Sequence, residues 1–192
     1  MFISYPSHPA NRAFRGKGNG WKIMSDSDLG RRDSDIPALH EVTAETVVPW
    51  EGGRVLHRWW FTARGERRMP ARRDFSPRVM GRHLSGVGLC DVFWTDPARP
   101  SFRARLVGSH VASAWGRDPT GLWAEQLSRV EGLVERFTWA ASTKRPYLCL
   151  KLPVTWGSKD FLFYSTLVMP LSADGERVDM LIAHIHFHPL RR

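Results

Sequence analysis

Three histidines are the residues of this chain whose type and spacing come closest to a chemical site. His184, His186 and His188 alternate with apolar residues, so a β-strand there would place all three on one face. Two histidines at this spacing on a strand can chelate Zn²⁺, but a site needs a third ligand and second-shell acceptors. Asp179 and His57 are the residues that the fold would have to bring close. A row of this kind more often packs or faces solvent, so His184 and His186 are weak metal candidates and we expect no metal.

The sequence carries no recognisable catalytic set. Its serines lack the G-x-S-x-G setting of a nucleophile elbow. It has neither a phosphate-binding GxxxxGKS/T loop nor a GxGxxG segment after a strand, and no carboxylates are paired at a spacing suited to acid–base catalysis. We therefore predict that the protein is not an enzyme and that it has no catalytic residues.

Arginine is concentrated in one segment. The 192-residue chain has a formal net charge of +9, whereas residues 1–49 sum to zero, with six basic and six acidic side chains. Residues 54–82 carry nine arginines against Glu66 and Asp74, namely Arg54, Arg58, Arg64, Arg67, Arg68, Arg72, Arg73, Arg78 and Arg82. Such a segment attracts nucleic acid, anionic lipid or an acidic partner. A solvated arginine-rich face is the more common explanation, and no nucleic-acid-binding motif accompanies it.

The two cysteines indicate a reducing compartment. Cys90 and Cys149 lie in separate apolar runs without metal-ligand spacing, so we expect buried, inert thiols rather than a disulfide. No apolar stretch is long enough to span a bilayer, and the N-terminal segment lacks the apolar core of a secretory signal. We predict a cytoplasmic protein.

The elements that would position these residues follow from periodicity. Residues 1–49 look like a disordered or loosely packed tail, in which 36–49 are apolar enough to pack on a domain, and translation may begin at Met24. We predict a helix over 51–64 that ends at Gly65, strands over 86–95 and 102–107, and a short helix over 109–115. A longer helix is predicted over 123–142 and three strands over 146–154, 160–171 and 177–188. This order predicts an α+β domain over 50–192 with one antiparallel sheet.

Three spaced motifs point to a known family. They are Met69-Pro70-Ala71-Arg72, the strand end 103–108 (RARLVG) and the loop 116–121 (GRDPTG). The chain resembles the PAS domain, and within it the α-proteobacterial family of mostly stand-alone members. The motif residues are Pro70, Arg105, Gly108, Gly116, Arg117, Asp118 and Gly121, and we expect them to maintain the fold. Ser109 stands where the family tends to have threonine.

The resemblance implies a five-stranded antiparallel sheet with helices on one face and an N-terminal flanking helix. It implies a sensory, regulatory or protein-interaction domain, with a cavity between sheet and helices that holds either a small apolar or aromatic ligand or none. Trp115, Trp123 and Phe137 lie in the helical middle and are the candidates to line that cavity. The ligand is unknown, and no cofactor is the favoured expectation; haem held through His110 is an alternative.

The resemblance also implies a partner surface. Helix 51–64 precedes the first strand, where such domains often dimerise. Because Trp59 and Trp60 are adjacent, they point about 100° apart, so one is expected to face the sheet and the other a second subunit. We expect a homodimer through this helix, with a further protein partner that the sequence does not identify. Nucleic-acid binding by the arginine segment and metal or haem sensing are the alternatives.

Overall fold

The computed structural model describes residues 39–96, 98–127, 132–154 and 163–188. Within these ranges six strands form one antiparallel sheet. They are β1 (His40–Glu41), β2 (Val87–Asp96), β3 (Arg99–Val107), β4 (Tyr147–Pro153), β5 (Phe163–Leu171) and β6 (Met180–His188). Their order across the sheet is β1-β4-β5-β6-β2-β3. The predicted α+β class and the five predicted strands are confirmed, and β1 adds a short sixth strand beside β4.

Helix α1 (Glu51–Arg64) has the predicted bounds and packs on the sheet face formed by β5 and β6. The indole N–H of Trp60 donates to the carbonyl of Pro170 at 2.8 Å, and Trp59 packs edge-on against Phe75. Both tryptophans are buried, at 9% exposure or less. The expectation that one of them faces a second subunit is therefore wrong, because residues 66–80 fold back and cover Trp59.

The other face of the sheet carries α2 (Ser109–Trp115), a 3₁₀ turn at Ala124–Gln126 and α3 (Leu133–Thr143). The single helix predicted over 123–142 is wrong. Gly132 has a φ of 68°, a left-handed conformation that a continuous helix does not allow, and α3 begins after it. Helices thus lie on both faces of the sheet, with α1 on one and α2 and α3 on the other.

Part of the predicted tail belongs to the folded domain. Leu39, Val42, Val48 and Trp50 are buried in the same core as the sheet, and Glu41 forms an ion pair with Arg145 at 3.1 Å. This agrees with the expectation that 36–49 pack on the domain, as far as residues 39–49 are concerned. Residues 1–38, and with them Met24, lie outside the described ranges.

Two further features complete the fold. The Asp174-Gly175 turn joins β5 to β6, with Gly175 at a φ of 83°. Asp174 accepts hydrogen bonds from the backbone N–H groups of Arg177 and Glu176, which lower its pKa to about 2. Within the described ranges, no helix combines the length and hydrophobicity that crossing a membrane requires.

Candidate functional site: a cavity between sheet and helices

A cavity of about 130 Å³ lies between the sheet and the helices α2 and α3. Strands β5 and β6 form the floor of the cavity, because every second residue of each strand points to this face of the sheet. The floor residues on these two strands are Tyr164, Thr166, Val168, Leu181, Ala183 and Ile185. The neighbouring strands β2, β3 and β4 add Leu89, Cys90, Ala104, Leu106 and Tyr147. The walls are therefore almost entirely apolar.

Two of the three predicted lining residues reach the cavity. Trp115, the last residue of α2, and Phe137 of α3 line it together with Val111, Leu127 and Leu133. Trp123 is not among the lining residues. Its ring packs against Phe93 of β2 at 5.3 Å between centroids and under the guanidinium of Arg103 at 5.9 Å. Trp123 therefore holds the chain against the outer side of the β2–β3 hairpin.

Sequence reasoning missed the polar groups of the wall. Arg136 lines the cavity and is only 4% exposed, and the hydroxyl-bearing residues Tyr147, Tyr164 and Thr166 lie on the opposite floor. A signal for Arg136 was present, because it stands three residues after Leu133 and one before Phe137, within the apolar stripe of its helix. The tyrosines could not be assigned before the register of β4 and β5 was known.

No thiolate is available at the cavity. Burial raises the pKa of Cys90 to about 12, and burial raises that of Cys149 to about 11 against the opposing effect of Arg136. Both cysteines are free and protonated at neutral pH, as the sequence predicts for inert thiols. The chemistry that the described wall offers is non-covalent binding.

The predicted histidine row lies on the opposite face of the sheet, towards α1. The indole N–H of Trp50 donates to Nδ1 of His184 at 3.0 Å, and the ring abuts Gly52 and Gly86. Burial lowers the pKa of His184 to about 4, with smaller effects from neighbouring His83 and His186. This imidazole is neutral near pH 7 and forms part of the packing between α1 and β6.

The other two histidines of the row are also engaged. His186 stacks on Trp50 at 6.0 Å between centroids, and Nε2 of His188 lies 2.7 Å from the hydroxyl of Ser165. His57 contacts the carbonyl of Thr43, and Asp179 accepts from the backbone of Ala173, so neither joins the row. Within the described ranges, no group of three or more His, Cys, Asp or Glu is arranged to hold a metal. His110 is exposed on α2 and does not line the cavity.

The motif residues near the first strands are built into the fold. Pro70 is buried and its carbonyl accepts from the N–H of Ser172, while Arg105 forms an ion pair with Asp91 across β2 and β3 at 3.2 Å. Gly108 has a φ of −62°, which any residue adopts. A Cβ at Gly108 would lie 2.3 Å from the carbonyl oxygen of Ser85, so a close backbone approach requires glycine there.

The loop 116–121 shapes the chain between α2 and the 3₁₀ turn. Gly116 and Gly121 have φ values of 80° and 87°, and the carboxylate of Asp118 accepts from both the N–H and the hydroxyl of Thr120. These hydrogen bonds lower the pKa of Asp118, and the one from the Thr120 hydroxyl has the larger effect. Arg117 is exposed. Within the loop, Pro119 lines the cavity.

The arginine segment is mostly at the surface. Arg67 forms an ion pair with Asp74 at 2.8 Å and Arg82 with Glu51 at 2.7 Å. Five further arginines are exposed and, among the described residues, make no ion pair: Arg54, Arg58, Arg68, Arg73 and Arg78.

Comparison with known families identifies the fold that this geometry builds. A family model described as a PAS domain matches residues 51–134, from the start of α1 into the first turn of α3. Residues 51–134 therefore belong to the PAS domain family. No curated protein and no solved structure matches the chain. PAS domains are generally sensory and regulatory, non-catalytic modules, and strands β4, β5 and β6 complete the PAS sheet beyond the matched residues.

Proposed function

We propose that this PAS domain is a non-catalytic regulatory module that binds a small molecule in the cavity. The observation that carries the proposal is the cavity's position between two layers. Sheet residues form its floor and α2 and α3 its walls, so an occupant would contact both layers at once. Binding would then stabilise one arrangement of α2 and α3 relative to the sheet, which is what a sensor requires.

The volume limits the occupant. An apolar cavity of roughly 150 Å³ in another protein admits benzene or xenon. A cavity of about 130 Å³ therefore fits a body of about that size, unless α2 and α3 move. Xenon is the appropriate first probe, because it tests for an accessible apolar cavity without assuming a ligand.

The experiment combines native mass spectrometry with ¹²⁹Xe NMR on the full chain. We expect a small co-purified molecule or, in its absence, exchange of xenon with the protein. The variant Ala183→Leu extends a side chain of β6 into the cavity and should abolish the xenon exchange. Ala112→Leu on α2, at a half-buried position that does not line the cavity, is the matched control and should keep it. Xenon exchange that is unchanged in Ala183→Leu contradicts the proposal.

We also propose a homodimer through α1, with contacts that differ from those first expected. Since Trp59 and Trp60 are buried, α1 offers Glu51, Arg54, Arg58 and Thr62 to a second subunit. A dimer held by such side chains would be weak and weakened by salt. Light scattering at high micromolar concentration, in about 50 mM and about 500 mM NaCl, tests this. A monomer in the low-salt buffer removes the dimer from the proposal.

Cytoplasmic location remains a proposal, supported by the two free cysteines, of which Cys149 is buried and Cys90 partly buried. Binding of nucleic acid or another polyanion is the second candidate function, and the five exposed arginines of the 54–82 segment without an ion-pair partner among the described residues favour it. Metal or haem sensing has no comparable support, because the described histidines are engaged in packing or face solvent.

A further inference from the structure

The floor of the cavity holds a hydroxyl group that the protein leaves without a hydrogen-bond partner. Thr166 lies on β5, where alternation directs its side chain into the cavity, and it is only 7% exposed. Within the described ranges its hydroxyl makes no hydrogen bond to another group of the protein. Because buried polar groups are normally paired, an unpaired hydroxyl on a cavity floor marks a position that an occupant can satisfy.

The preceding residue of the same strand shows the usual arrangement. Ser165 points to the opposite face of the sheet and is also buried. Its hydroxyl oxygen accepts from the backbone N–H of Lys151 at 3.0 Å and lies 2.7 Å from Nε2 of His188. The unpaired state of the Thr166 hydroxyl is therefore a property of the cavity and not of this part of the sheet.

The positive charge of the wall is directed at the phenols of the floor. Arg136 lies beside Tyr147 and Tyr164 and is engaged with them. Burial raises the pKa of both phenols, that of Tyr164 to about 12, and the nearby guanidinium opposes the rise. A carboxylate in the cavity would have to compete with these phenols for Arg136 and would also lose its own hydration.

The lining offers no counter-charge to a cation either. Among the described residues no Asp or Glu lines the cavity, and burial raises the pKa of the Cys90 thiol to about 12, so the thiol is neutral. The other lining side chains are mainly aliphatic or aromatic, with Trp115 and Phe137 on the helix side. Moving an unpaired charge from water into such surroundings costs far more than burying a neutral molecule. The cavity therefore favours a neutral occupant.

We propose that the cavity selects a small neutral molecule with an apolar body of about one benzene ring and a single hydrogen-bonding group, which pairs with the Thr166 hydroxyl. A threonine hydroxyl both donates and accepts, so a phenol, an alcohol or a ketone meets this description. The hydrogen bond orients the occupant, while apolar residues such as Phe137 supply the contact area. This inference rests on the proposed function, since it names the ligand class of the same cavity.

The test compares phenol with toluene, two neutral probes of nearly the same shape, by isothermal titration calorimetry or ligand-observed NMR on the full chain. Because water solvates phenol better than toluene, the quantity to compare between proteins is the ratio of the two affinities. In Thr166→Val a methyl group replaces the hydroxyl at nearly the same volume. We expect phenol affinity to fall about threefold to tenfold, as the loss of one hydrogen bond predicts, and toluene affinity to stay the same or rise.

Two further variants show whether the hydroxyl itself is responsible. Thr166→Ser keeps the hydroxyl and should keep the wild-type ratio of phenol to toluene affinity. Thr62→Val makes the valine substitution at an exposed site on α1 and should leave both affinities unchanged. An unchanged ratio in Thr166→Val would overturn the proposal, and so would binding of benzoate or benzylammonium as tight as that of phenol.

Xenon exchange distinguishes a wrong ligand class from a wrong function. If xenon enters the wild-type protein but phenol does not bind, or is preferred over toluene equally in the wild type and Thr166→Val, the ligand class is wrong and the cavity proposal stands. If xenon does not enter the wild-type protein and neither phenol nor toluene binds, the proposed function itself fails.

Discussion

Backbone proximity at Gly108 restricts the side chain that this position can carry. The residue ends β3, and the carbonyls of Ser85 and Val87 lie against the place where a Cβ would stand. Carbonyl groups held in a sheet and in a 3₁₀ turn cannot move aside as the end of a flexible side chain would. The constraint belongs to the packing of the chain and is independent of any ligand.

Gly108→Ala is therefore expected to destabilise the domain by about 1–3 kcal/mol, as overpacking does elsewhere. Gly88→Ala is the matched control, because its Cβ would meet only the end of Ile185 at 3.6 Å. Alanine suits a strand better than glycine, so that variant should unfold at the same or slightly higher urea concentration. Equal losses in the two variants would show that strand glycines in general, and not this contact, are sensitive.

His184 makes the stability of the domain depend on pH. Its folded-state pKa of about 4 lies below the usual 6.5, so the unfolded chain takes up the proton first as pH falls. The stability that burial of the neutral imidazole contributes is fully present above pH 6.5. It is lost progressively between pH 6.5 and about 4, by up to about 3 kcal/mol. His83 and His186, which face the same ring, would add repulsion once protonated.

Urea denaturation at pH 7, 5.5 and 4.5 measures this loss. The variant His184→Gln should show a distinctly shallower pH dependence than the wild type, whatever its stability at pH 7. His110→Gln, at an exposed site, should follow the wild type. Parallel pH profiles for wild type and His184→Gln would contradict a buried neutral imidazole.

At the scale of elements, two buried or half-buried indole N–H groups, one on α1 and one on β2, each donate to a backbone carbonyl of the sheet or of the chain next to it. Trp60 donates to the carbonyl of Pro170 in β5, and Trp94 makes a similar bond, 2.7 Å long, to the carbonyl of Val178 before β6. Trp60 is 2% exposed, whereas Trp94 is only half-buried. The two hydrogen bonds thus differ mainly in whether water could reach the carbonyl and donate to it if the indole were removed.

Trp60→Phe should lower the free energy of unfolding by about 2–3 kcal/mol, because a buried carbonyl loses its donor and the core loses volume. Trp94→Phe should lower it by about 1 kcal/mol, since water can reach that carbonyl. Chemical denaturation monitored by circular dichroism compares the two. A greater loss in Trp94→Phe would mean that α1 contributes less to the core than its burial indicates.

The elements themselves were largely predictable from the sequence. The bounds of α1 follow from its apolar stripe and Gly65, and the strands follow from alternation, with errors of a few residues at their ends. The helix over 123–142 was wrong because Gly132 fits an apolar stripe as well as it fits a left-handed break, and periodicity does not distinguish them. The partly correct cavity candidates have the same origin: Trp115 and Phe137 face the sheet, while Trp123 stands at a bend whose direction only the three-dimensional fold determines.

At the scale of the whole molecule, the positive charge is unevenly compensated. The net charge is +9, and five arginines between residues 54 and 78 are exposed without an ion pair among the described residues. Such charges bind polyanions through phosphate contacts, whose strength falls steeply with salt. The PAS family gives no reason to expect sequence-specific recognition.

We expect weak DNA binding in a gel shift at about 50 mM salt and none at about 200 mM, with no preference for sequence. Replacing Arg54, Arg58, Arg68, Arg73 and Arg78 with glutamine should remove the low-salt binding while leaving xenon exchange in the cavity unchanged. Binding that survives about 200 mM salt would favour a dedicated nucleic-acid function over a regulatory module. No shift at about 50 mM would remove that candidate function.

The strand order has a consequence for how the protein is made. β6 pairs with both β5 and β2, so the strand furthest along the chain among those described lies inside the sheet and not at its edge. While the ribosome is still translating, the β2–β3 hairpin and α1 are already exposed and have no β6 to cover them. The sheet can close only after residue 188 has left the ribosome, and until then nascent chains would depend on chaperones to shield their tryptophan-rich surfaces.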